Sequence, residues 1–326
     1  MTTLKRVLAL SLCLCMLFLL GCTGQSSQES TTAATTAATE AKEEGPLTDG
    51  KTLKILAVTS SFGLNSTEFL YDVAIAEGFT DVVVGRLYAS GCTLETHVDC
   101  ARNNTNHYQY TKNSSGKWEK KESIPLLYGL QDEDWDIIFM QQSAHRSPLP
   151  ESYTSIDGVD YIDELVSFVK KNMTNPNARF VWNLCWAFEA GAPESECWNR
   201  YDKDQLKMYQ GLIDTLKLHV LPKTHFDAII PTGTAVQNLR TSYIGDTLTK
   251  DKLHLNYIGK VLAAYTLLSV LTEKPSTEIN LTTVSPSTDP VPEMILTEND
   301  KLAIMEAVNN AIANPYEITQ STYTEK

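Results

Sequence analysis

Residues 53–62 read LKILAVTSSF, and this stretch decides the fold. The run from Leu53 to Val58 is apolar apart from one lysine, and its length predicts a buried strand. Ser60 and Ser61 follow where that strand must end. In open α/β sheets ligands bind beyond the carboxyl ends of the strands, so these hydroxyl groups are candidates for chemistry.

Four more short apolar segments follow along the chain and alternate with amphipathic helical segments. This alternation is typical of a parallel sheet with helices on both faces. We therefore predict a three-layer α/β/α sandwich around a central, mostly parallel five-stranded sheet. The polar insert between Cys100 and Glu122 contains an Asn-Ser-Ser-Gly turn and predicts a hairpin. The predicted strands are 53–58, 81–87, 136–140, 179–185 and 228–231, and the predicted helices are 66–77, 161–171, 204–219, 256–271 and 297–313.

The composition excludes several classes of protein. The chain has 326 residues, of which 42% are hydrophobic and 21% charged, so neither a disordered nor a collagen-like protein fits. It carries 27 lysines and arginines against 40 aspartates and glutamates, a formal charge of −13. Binding to nucleic acid requires a basic face that neutralises phosphates, so no nucleic-acid partner is expected.

The N-terminal residues predict export. Lys5 and Arg6 precede an uncharged apolar run from Val7 to Leu20, which is short for a membrane span and right for a signal peptide. The sequence Leu-Leu-Gly-Cys that ends at Cys22 resembles a bacterial lipobox. This resemblance implies a signal peptide at 1–22, a lipid on the Cys22 thiol and a membrane anchor at the bacterial cell surface or envelope.

The segment at 23–50 is rich in Ser, Thr, Ala and Glu, and it predicts a disordered tether. A single folded domain is then expected at 51–326. Four cysteines remain in that domain, and the sequence leaves open whether they form disulfides or stay as buried thiols. They are Cys92, Cys100, Cys185 and Cys197.

No metal or cofactor is expected. The cysteines lack the CxxC spacing of a zinc site. Glu95 and His97 are two candidate ligands without a third, and a structural role is favoured for them. The remaining histidines, His145 among them, are interpreted as surface or capping residues.

Four short segments together resemble the SGNH (GDSL-like) hydrolase superfamily. They lie after the first three predicted strands and before the last apolar helix. The wider segments ILAVTSSF, LYASGCTLETH, DWDIIFMQQS, PTGTAVQNLR and GDTLTKDKLHLNYIG also resemble an uncharacterised SGNH-like family of bacterial exported proteins. The resemblance implies an SGNH or flavodoxin-like sandwich. The four segments are Thr59-Ser60-Ser61-Phe62, Ser90-Gly91-Cys92, Gln141-Gln142-Ser143 and Asp251-Lys252-Leu253-His254.

The resemblance implies a catalytic role for Ser61, His254 and Asp251. A serine hydroxyl needs an adjacent base, which His254 would supply, while Asp251 would hold the imidazole tautomer. The oxyanion needs preorganised donors, and the backbone N–H groups of Ser61 and Gly91 with the Gln142 amide are predicted to form that hole.

Two departures from the superfamily pattern leave alternatives open. Thr59-Ser60 stands where Gly-Asn or Gly-Asp is usual, so Ser60 remains a second candidate nucleophile. Gln141-Gln142 replaces the usual G-x-N-D segment, and either amide could serve as the donor.

The expected substrate is an O-acylated, above all O-acetylated, carbohydrate. Gln141, Trp186 and Arg240 are predicted to bind it, Trp186 as one of several aromatics after the fourth strand. Trp186 could equally belong to the core, and Arg240 to a structural ion pair. The alternative function is a catalytically weak SGNH-like domain that binds glycans as a surface lipoprotein, and a solute-binding lipoprotein is a third possibility. The protein is expected to be a monomer.

Overall fold

The apolar run at 53–58 forms strand β1 (Thr52–Thr59), which lies at the centre of the sheet. Its side chains are buried on both faces because helices cover the sheet on each side. A computed structural model describes residues 45–287 and 295–325 of the chain. These described residues belong to one compact unit.

The sheet has seven strands within the described residues, in the order β4-β3-β2-β1-β5-β6-β7. The five predicted strands are all parallel, which confirms the predicted class of fold. The predicted count of five was wrong, because the hairpin of the polar insert pairs antiparallel with β2 and extends the sheet. The further strands are β2 (Asp81–Tyr88), β3 (Tyr108–Asn113), β4 (Trp118–Ile124), β5 (Ile137–Met140), β6 (Arg179–Asn183) and β7 (Ala228–Ile230).

Two groups of helices cover the sheet. The helices α1, α2, α8, α9 and α10 pack together on one face, and α3, α4 and α5 pack on the other with the 3₁₀ turn Pro150–Tyr153. The helix predicted at 66–77 begins only at residue 70, since the chain turns at 67–69, and the short helix before that turn was not predicted. The helices are α1 (Ser61–Ser66), α2 (Leu70–Ala76), α3 (Leu94–Asn103), α4 (Leu126–Gln131), α5 (Tyr161–Asn172), α6 (Glu196–Arg200), α7 (Gln205–His219), α8 (Thr232–Arg240), α9 (Tyr257–Thr272) and α10 (Glu298–Ala313).

The register of the parallel strands brings their carboxyl ends together. Thr59 of β1 pairs with Tyr88 of β2, and Val58 pairs with Met140 of β5. The segments after these strands therefore meet at one edge of the sheet. This edge holds most of the residues that the sequence analysis selected.

The folded region begins earlier than the predicted tether allows. The Leu47 backbone N–H donates to the Leu271 carbonyl at 2.8 Å, and the Leu47 side chain packs against the core. Asp49 accepts hydrogen bonds from the N–H groups of Lys51 and Thr52. Residues 45–50 therefore belong to the folded part. The predicted signal peptide, Cys22 and the tether up to residue 44 lie outside the described residues.

The four cysteines of the folded region are buried and unpaired. No helix in the described part of the chain combines the length and the apolar character needed to cross a membrane.

Candidate active site

The strand β1 brings two serines to the edge of the sheet, and their environments differ. Ser60 is the capping residue before α1 and only 2% exposed, and its Oγ accepts a hydrogen bond from Gln141 Nε2 at 3.4 Å. Ser61 is the first residue of α1 and is half-buried. Ser61 therefore offers the more accessible hydroxyl of the two.

Thr59 fits at the turn because the helix beside it carries a glycine. The Thr59 side chain is fully buried, and its Oγ1 donates to the Ser60 carbonyl at 3.1 Å. A Cβ atom at Gly63 would lie 1.9 Å from Thr59 Oγ1. Gly63, one helical turn later, therefore leaves the space that the Thr59 side chain occupies.

Asp251 and His254 form the hydrogen-bonded pair that their spacing predicts. Asp251 Oδ2 lies 2.7 Å from His254 Nδ1. The other oxygen, Oδ1, accepts from the backbone N–H groups of Leu253 and His254 at 3.1 and 2.7 Å. Partial burial raises the pKa of Asp251, but the hydrogen bonds from His254 outweigh it and lower this pKa. The carboxylate therefore stays ionised and fixes the tautomer with Nε2 unprotonated.

Helix α1 and the His254 turn are held together. The Leu255 N–H donates to Asn65 Oδ1 at 2.9 Å, and the centroids of the Phe62 and His254 rings are 5.8 Å apart. His254 thus lies beside the residue that follows Ser61. Among the described residues, no hydrogen bond joins Ser61 to His254. Such bonds are often long in unliganded enzymes and tighten in the substrate complex.

Glu189 supports the turn that carries Asp251 and His254, a role that the sequence analysis missed. Its N–H donates to the Lys252 carbonyl at 2.9 Å. Its buried carboxylate accepts hydrogen bonds from Lys252 Nζ and Thr249 Oγ1. Lys252 has a φ of 72°, which is unfavourable for a residue with a side chain. Three contacts from one glutamate therefore hold a strained backbone next to the His–Asp pair.

The predicted oxyanion donors Gly91 and Gln142 lie in different surroundings. Gly91 lies after β2 and has a φ of 62°, so a glycine suits this position. The Gln142 Oε1 atom accepts from the N–H groups of Leu94 and Ser143, and its Nε2 donates to Ser152. This amide is fully buried and committed to holding loops together, so the structure does not favour the prediction that it donates to a substrate.

Gln141 is the amide next to the serines. Its Nε2 reaches Ser60, and its Oε1 accepts from Asn183 Nδ2 at 2.9 Å. Asn183 Oδ1 in turn accepts from Thr232 Oγ1 at 2.7 Å. The chain of bonds fixes the Gln141 side chain under the β1–α1 turn. Gln141 is only 1% exposed and both of its amide atoms have partners, so the structure does not test the prediction that it binds substrate.

Trp186 belongs to the core, which was the alternative to the prediction that it binds substrate. Its ring is fully buried, stacked on Phe62 with centroids 4.0 Å apart, and its Nε1 donates to the Leu253 carbonyl at 2.8 Å. The neighbouring Phe188 and Trp198 are buried as well. The aromatic cluster is therefore part of the core and supports the turn that carries His254.

Arg240 is also structural, contrary to the prediction that it binds substrate. Its Nε lies 2.8 Å from Asp246 Oδ1, and its NH1 group donates to the Ala187 carbonyl at 3.0 Å. Asp246 Oδ2 accepts from the Ala190 N–H. This pair therefore links the segment after β6 to the loop before Asp251. Burial lowers the pKa of Arg240 to about 10, which leaves it charged at neutral pH.

His145 is exposed, which agrees with its interpretation as a surface residue, and it follows β5 at the edge that holds His254. Its ring packs edge-on against Phe188 with centroids 5.1 Å apart. Partial burial lowers the pKa of His145, and the nearby His254 and Arg146 add to the effect. His145 is therefore neutral at pH 7 and can donate or accept a hydrogen bond.

Glu95 and His97 do not form a metal site. His97 is fully buried, with Nδ1 2.8 Å from the Tyr108 hydroxyl, whereas Glu95 is exposed and accepts from Tyr161 at 3.1 Å. Residues 45–287 and 295–325 contain no cluster of three or more His, Cys, Asp or Glu side chains able to hold a metal ion.

Fold and site together define a class: an α/β sandwich with a serine and a His–Asp pair at the carboxyl edge of its parallel sheet. The family model for DUF4886, a domain of unknown function, matches residues 54–299, and the chain belongs to this family. A crystal structure of a DUF4886 protein from Bacteroides uniformis is 32% identical with a TM-score of 0.73. The match covers 84% of this chain and 100% of that protein.

Two other solved structures are distant. One, from Parabacteroides merdae, is named as a GDSL-like lipase and has 10% identity and a TM-score of 0.41, over 69% of this chain and 98% of that one. The other is a gut microbial diltiazem-metabolizing enzyme with 12% identity and a TM-score of 0.32, over 68% of this chain and 47% of that one. Neither is near enough to assign an activity to this chain. No curated protein matches it.

Proposed function

We propose that this protein is a serine esterase of the SGNH type that removes acyl groups from an O-acylated carbohydrate. The observation that carries the proposal is the Asp251–His254 pair, 2.7 Å apart, held against helix α1 whose first residue is Ser61. A histidine oriented by a carboxylate and placed beside a serine is the arrangement that activates a hydroxyl nucleophile.

The reaction would proceed in two steps. Ser61 Oγ attacks the ester carbonyl, and His254 Nε2 takes the hydroxyl proton and returns it to the leaving alkoxide, so that an acyl-serine and an alcohol form. Water then attacks the acyl-serine with His254 as base, which releases the carboxylic acid and restores Ser61. The oxyanion would be stabilised by the N–H groups of Ser61 and Gly91, with the Gln141 amide as the nearest side-chain donor.

The test is labelling of the purified protein with a fluorophosphonate, followed by peptide mapping. We expect an adduct on Ser61 that disappears in His254→Ala and remains in His225→Ala. His225 is a suitable control because its Nε2 binds Asp163 on α5, on the opposite face of the sheet from α1.

Other outcomes would change the proposal. An adduct on Ser60 would keep the esterase and move the nucleophile by one residue. A folded protein without any adduct would contradict the esterase and favour a glycan-binding lipoprotein, an alternative to which the missing Ser61–His254 bond among the described residues gives some support.

We also propose that the domain is anchored to the bacterial envelope by a lipid on Cys22. The support is the charged, apolar and Leu-Leu-Gly-Cys segments in order within residues 5–22. Incorporation of an alkynyl fatty acid into the wild-type protein, and its loss in Cys22→Ala, is the expected result; equal labelling of both would contradict the anchor.

A further inference from the structure

A second feature of the carboxyl edge is a cavity of about 420 Å³ between the segment after β2 and the segment after β5. These two strands flank β1, so the segments lie on either side of the β1–α1 turn. They are tied to each other by the hydrogen bond from the Leu94 N–H to Gln142 Oε1 at 3.0 Å. The residues that line the cavity include Thr93, Glu95, Arg146, Glu151, Ser155 and Ile156.

The segments after β2 and after β5 connect the cavity to the candidate active site. Thr93 lies two residues after Gly91. Ser152, which also lines the cavity, accepts a hydrogen bond from Gln142, and the preceding residue, Gln141, donates to Ser60 at 3.4 Å. A larger groove of about 800 Å³ is lined by Arg179 and Ala228, the residues that begin β6 and β7. That groove lies at the opposite, amino end of the strands and is distant from Ser61.

The lining is polar and carries two carboxylates and one guanidinium. Glu95 accepts from the Tyr161 hydroxyl at 3.1 Å, and Glu151 forms an ion pair with Arg200 at 2.6 Å. Arg146 forms an ion pair with Glu196 at 2.9 Å, and the Oγ1 atoms of Thr93 and Thr96 are 3.0 Å apart. Two carboxylates against one guanidinium disfavour an anionic ligand, and the scarcity of apolar side chains disfavours an acyl chain.

We propose that this cavity binds the sugar moiety of the substrate, a neutral polyhydroxylated group, while the acyl carbonyl lies at Ser61. The proposal rests on the esterase function and names the part of the molecule that recognises the alcohol side of the ester. The volume lies within the range of about 300–1,000 Å³ that is usual for ligand pockets.

The lining can bind both the hydroxyl groups and the apolar C–H face of a sugar. Hydroxyl groups donate to the carboxylates of Glu95 and Glu151, and their oxygens accept from Arg146, whose guanidinium has donors beyond the one used by Glu196. Hydrogen bonds to charged groups are shorter and stronger than neutral ones. Ile156 is fully exposed at the cavity and offers an apolar contact for the C–H face of a ring.

The experiment compares two acetate esters, 6-O-acetylglucose and p-nitrophenyl acetate, in the wild type, Glu95→Gln and Arg146→Gln. Both substituted residues are exposed, so the variants are expected to fold. The ratio of kcat/KM for the sugar ester to kcat/KM for the aryl ester is expected to fall about fivefold or more, mainly through KM, because a charge-assisted hydrogen bond becomes a neutral one. Glu298→Gln on α10, remote from the cavity, should leave the ratio unchanged.

Failure of the subsite and failure of the esterase give different results. An unchanged ratio in both variants, with the wild type active on both esters, would overturn the sugar subsite alone. A wild type that hydrolyses neither ester and takes no fluorophosphonate would overturn the esterase. Calorimetric titration of Ser61→Ala with 6-O-acetylglucose then tests the subsite by itself: heat that is lost on adding Glu95→Gln supports it, and no heat contradicts it.

Discussion

At the scale of single residues, the site depends on side chains that hold others in place. The Asp251–His254 pair is half-exposed and local in sequence, so it could form in many contexts. The turn that carries it is held by contacts from distant residues: Asn65, Glu189 and the buried Trp186. Removal of such a support should therefore reduce turnover without abolishing substrate binding.

Glu189→Gln tests this interpretation. The substitution keeps the size of the side chain but removes the ion pair to Lys252, so the backbone at φ 72° loses a restraint. We expect kcat for p-nitrophenyl acetate to fall about tenfold, with KM changed less than twofold, since displacements of the order of 1 Å can cost up to a hundredfold in rate. The measurement is steady-state kinetics, with near-ultraviolet circular dichroism to show that the fold is intact.

The control is Glu194→Gln, five residues further on. Glu194 pairs with Lys203 at the surface and does not contact the His254 turn. Equal kcat in both variants and the wild type would show that Glu189 does not position the pair. A matching fall in kcat and in the near-ultraviolet signal would assign Glu189 a purely structural role.

At the scale of elements, a buried ion pair connects β2 to the α1–α2 turn. Arg86 and Glu68 are both inaccessible to solvent, with Arg86 NH1 3.0 Å from Glu68 Oε2. The Arg86 guanidinium also lies 3.4 Å from the centre of the Trp118 ring of β4. Glu68 further accepts hydrogen bonds from the N–H and Oγ of Ser287. One carboxylate thus holds together a strand, a helix connection and the segment before α10.

Glu68→Gln should destabilise the fold by about 3–5 kcal/mol, because it leaves the Arg86 charge buried without a partner. Burial alone raises the pKa of Glu68, but the charges of Arg86 and Lys260 and the bonds from Ser287 outweigh it and lower this pKa. A carboxyl with a lowered pKa in the folded state stabilises above its ordinary value of 4.5, and this contribution is lost as the pH falls through the folded-state pKa.

Urea unfolding at several pH values measures both effects. The difference between the wild type and Glu68→Gln should be largest near neutral pH and shrink below the ordinary carboxyl pKa. The exposed Glu119→Gln on β4 serves as the control and should stay close to the wild type. A difference that is small at neutral pH would contradict the assigned role of the pair.

At the scale of the whole molecule, the C-terminal residues are hydrogen-bonded to α8 and to the segment that follows it. The Thr234 Oγ1 donates to the Pro315 carbonyl at 2.6 Å, and the Tyr243 N–H donates to the Tyr323 carbonyl at 2.8 Å. Between them, the Thr319 N–H donates to Asn238 Oδ1 at 2.8 Å. This segment thus links residues on and after α8 to the end of the chain.

Removal of residues 315–326 should lower Tm by several degrees. Each lost hydrogen bond contributes about 1 kcal/mol, and in a chain of this size 1 kcal/mol corresponds to about 2–4 °C. Differential scanning calorimetry provides the measurement, and removal of 324–326 alone, which keeps these three bonds, provides the control. An unchanged Tm in the longer truncation would show that the tail does not stabilise the domain.

The sequence by itself determined the class of fold and the local parts of the site. Apolar runs such as 53–58 and 228–231 predict strands, because hydrophobic patterning is a property of neighbouring residues. The Asp251-x-x-His254 pair was predictable for the same reason: its hydrogen bonds span three residues.

The tertiary structure alone decided which of the candidate side chains face an open site. Trp186, Arg240 and Gln142 were predicted to contact substrate, yet their partners are Leu253, Asp246 and Ser152, contributed by other segments of the chain. The role of Glu189 and the polar cavity were missed because they depend on contacts between loops far apart in sequence. Patterning determines which faces of an element are buried, but the packing of distant segments determines which polar groups remain free to bind.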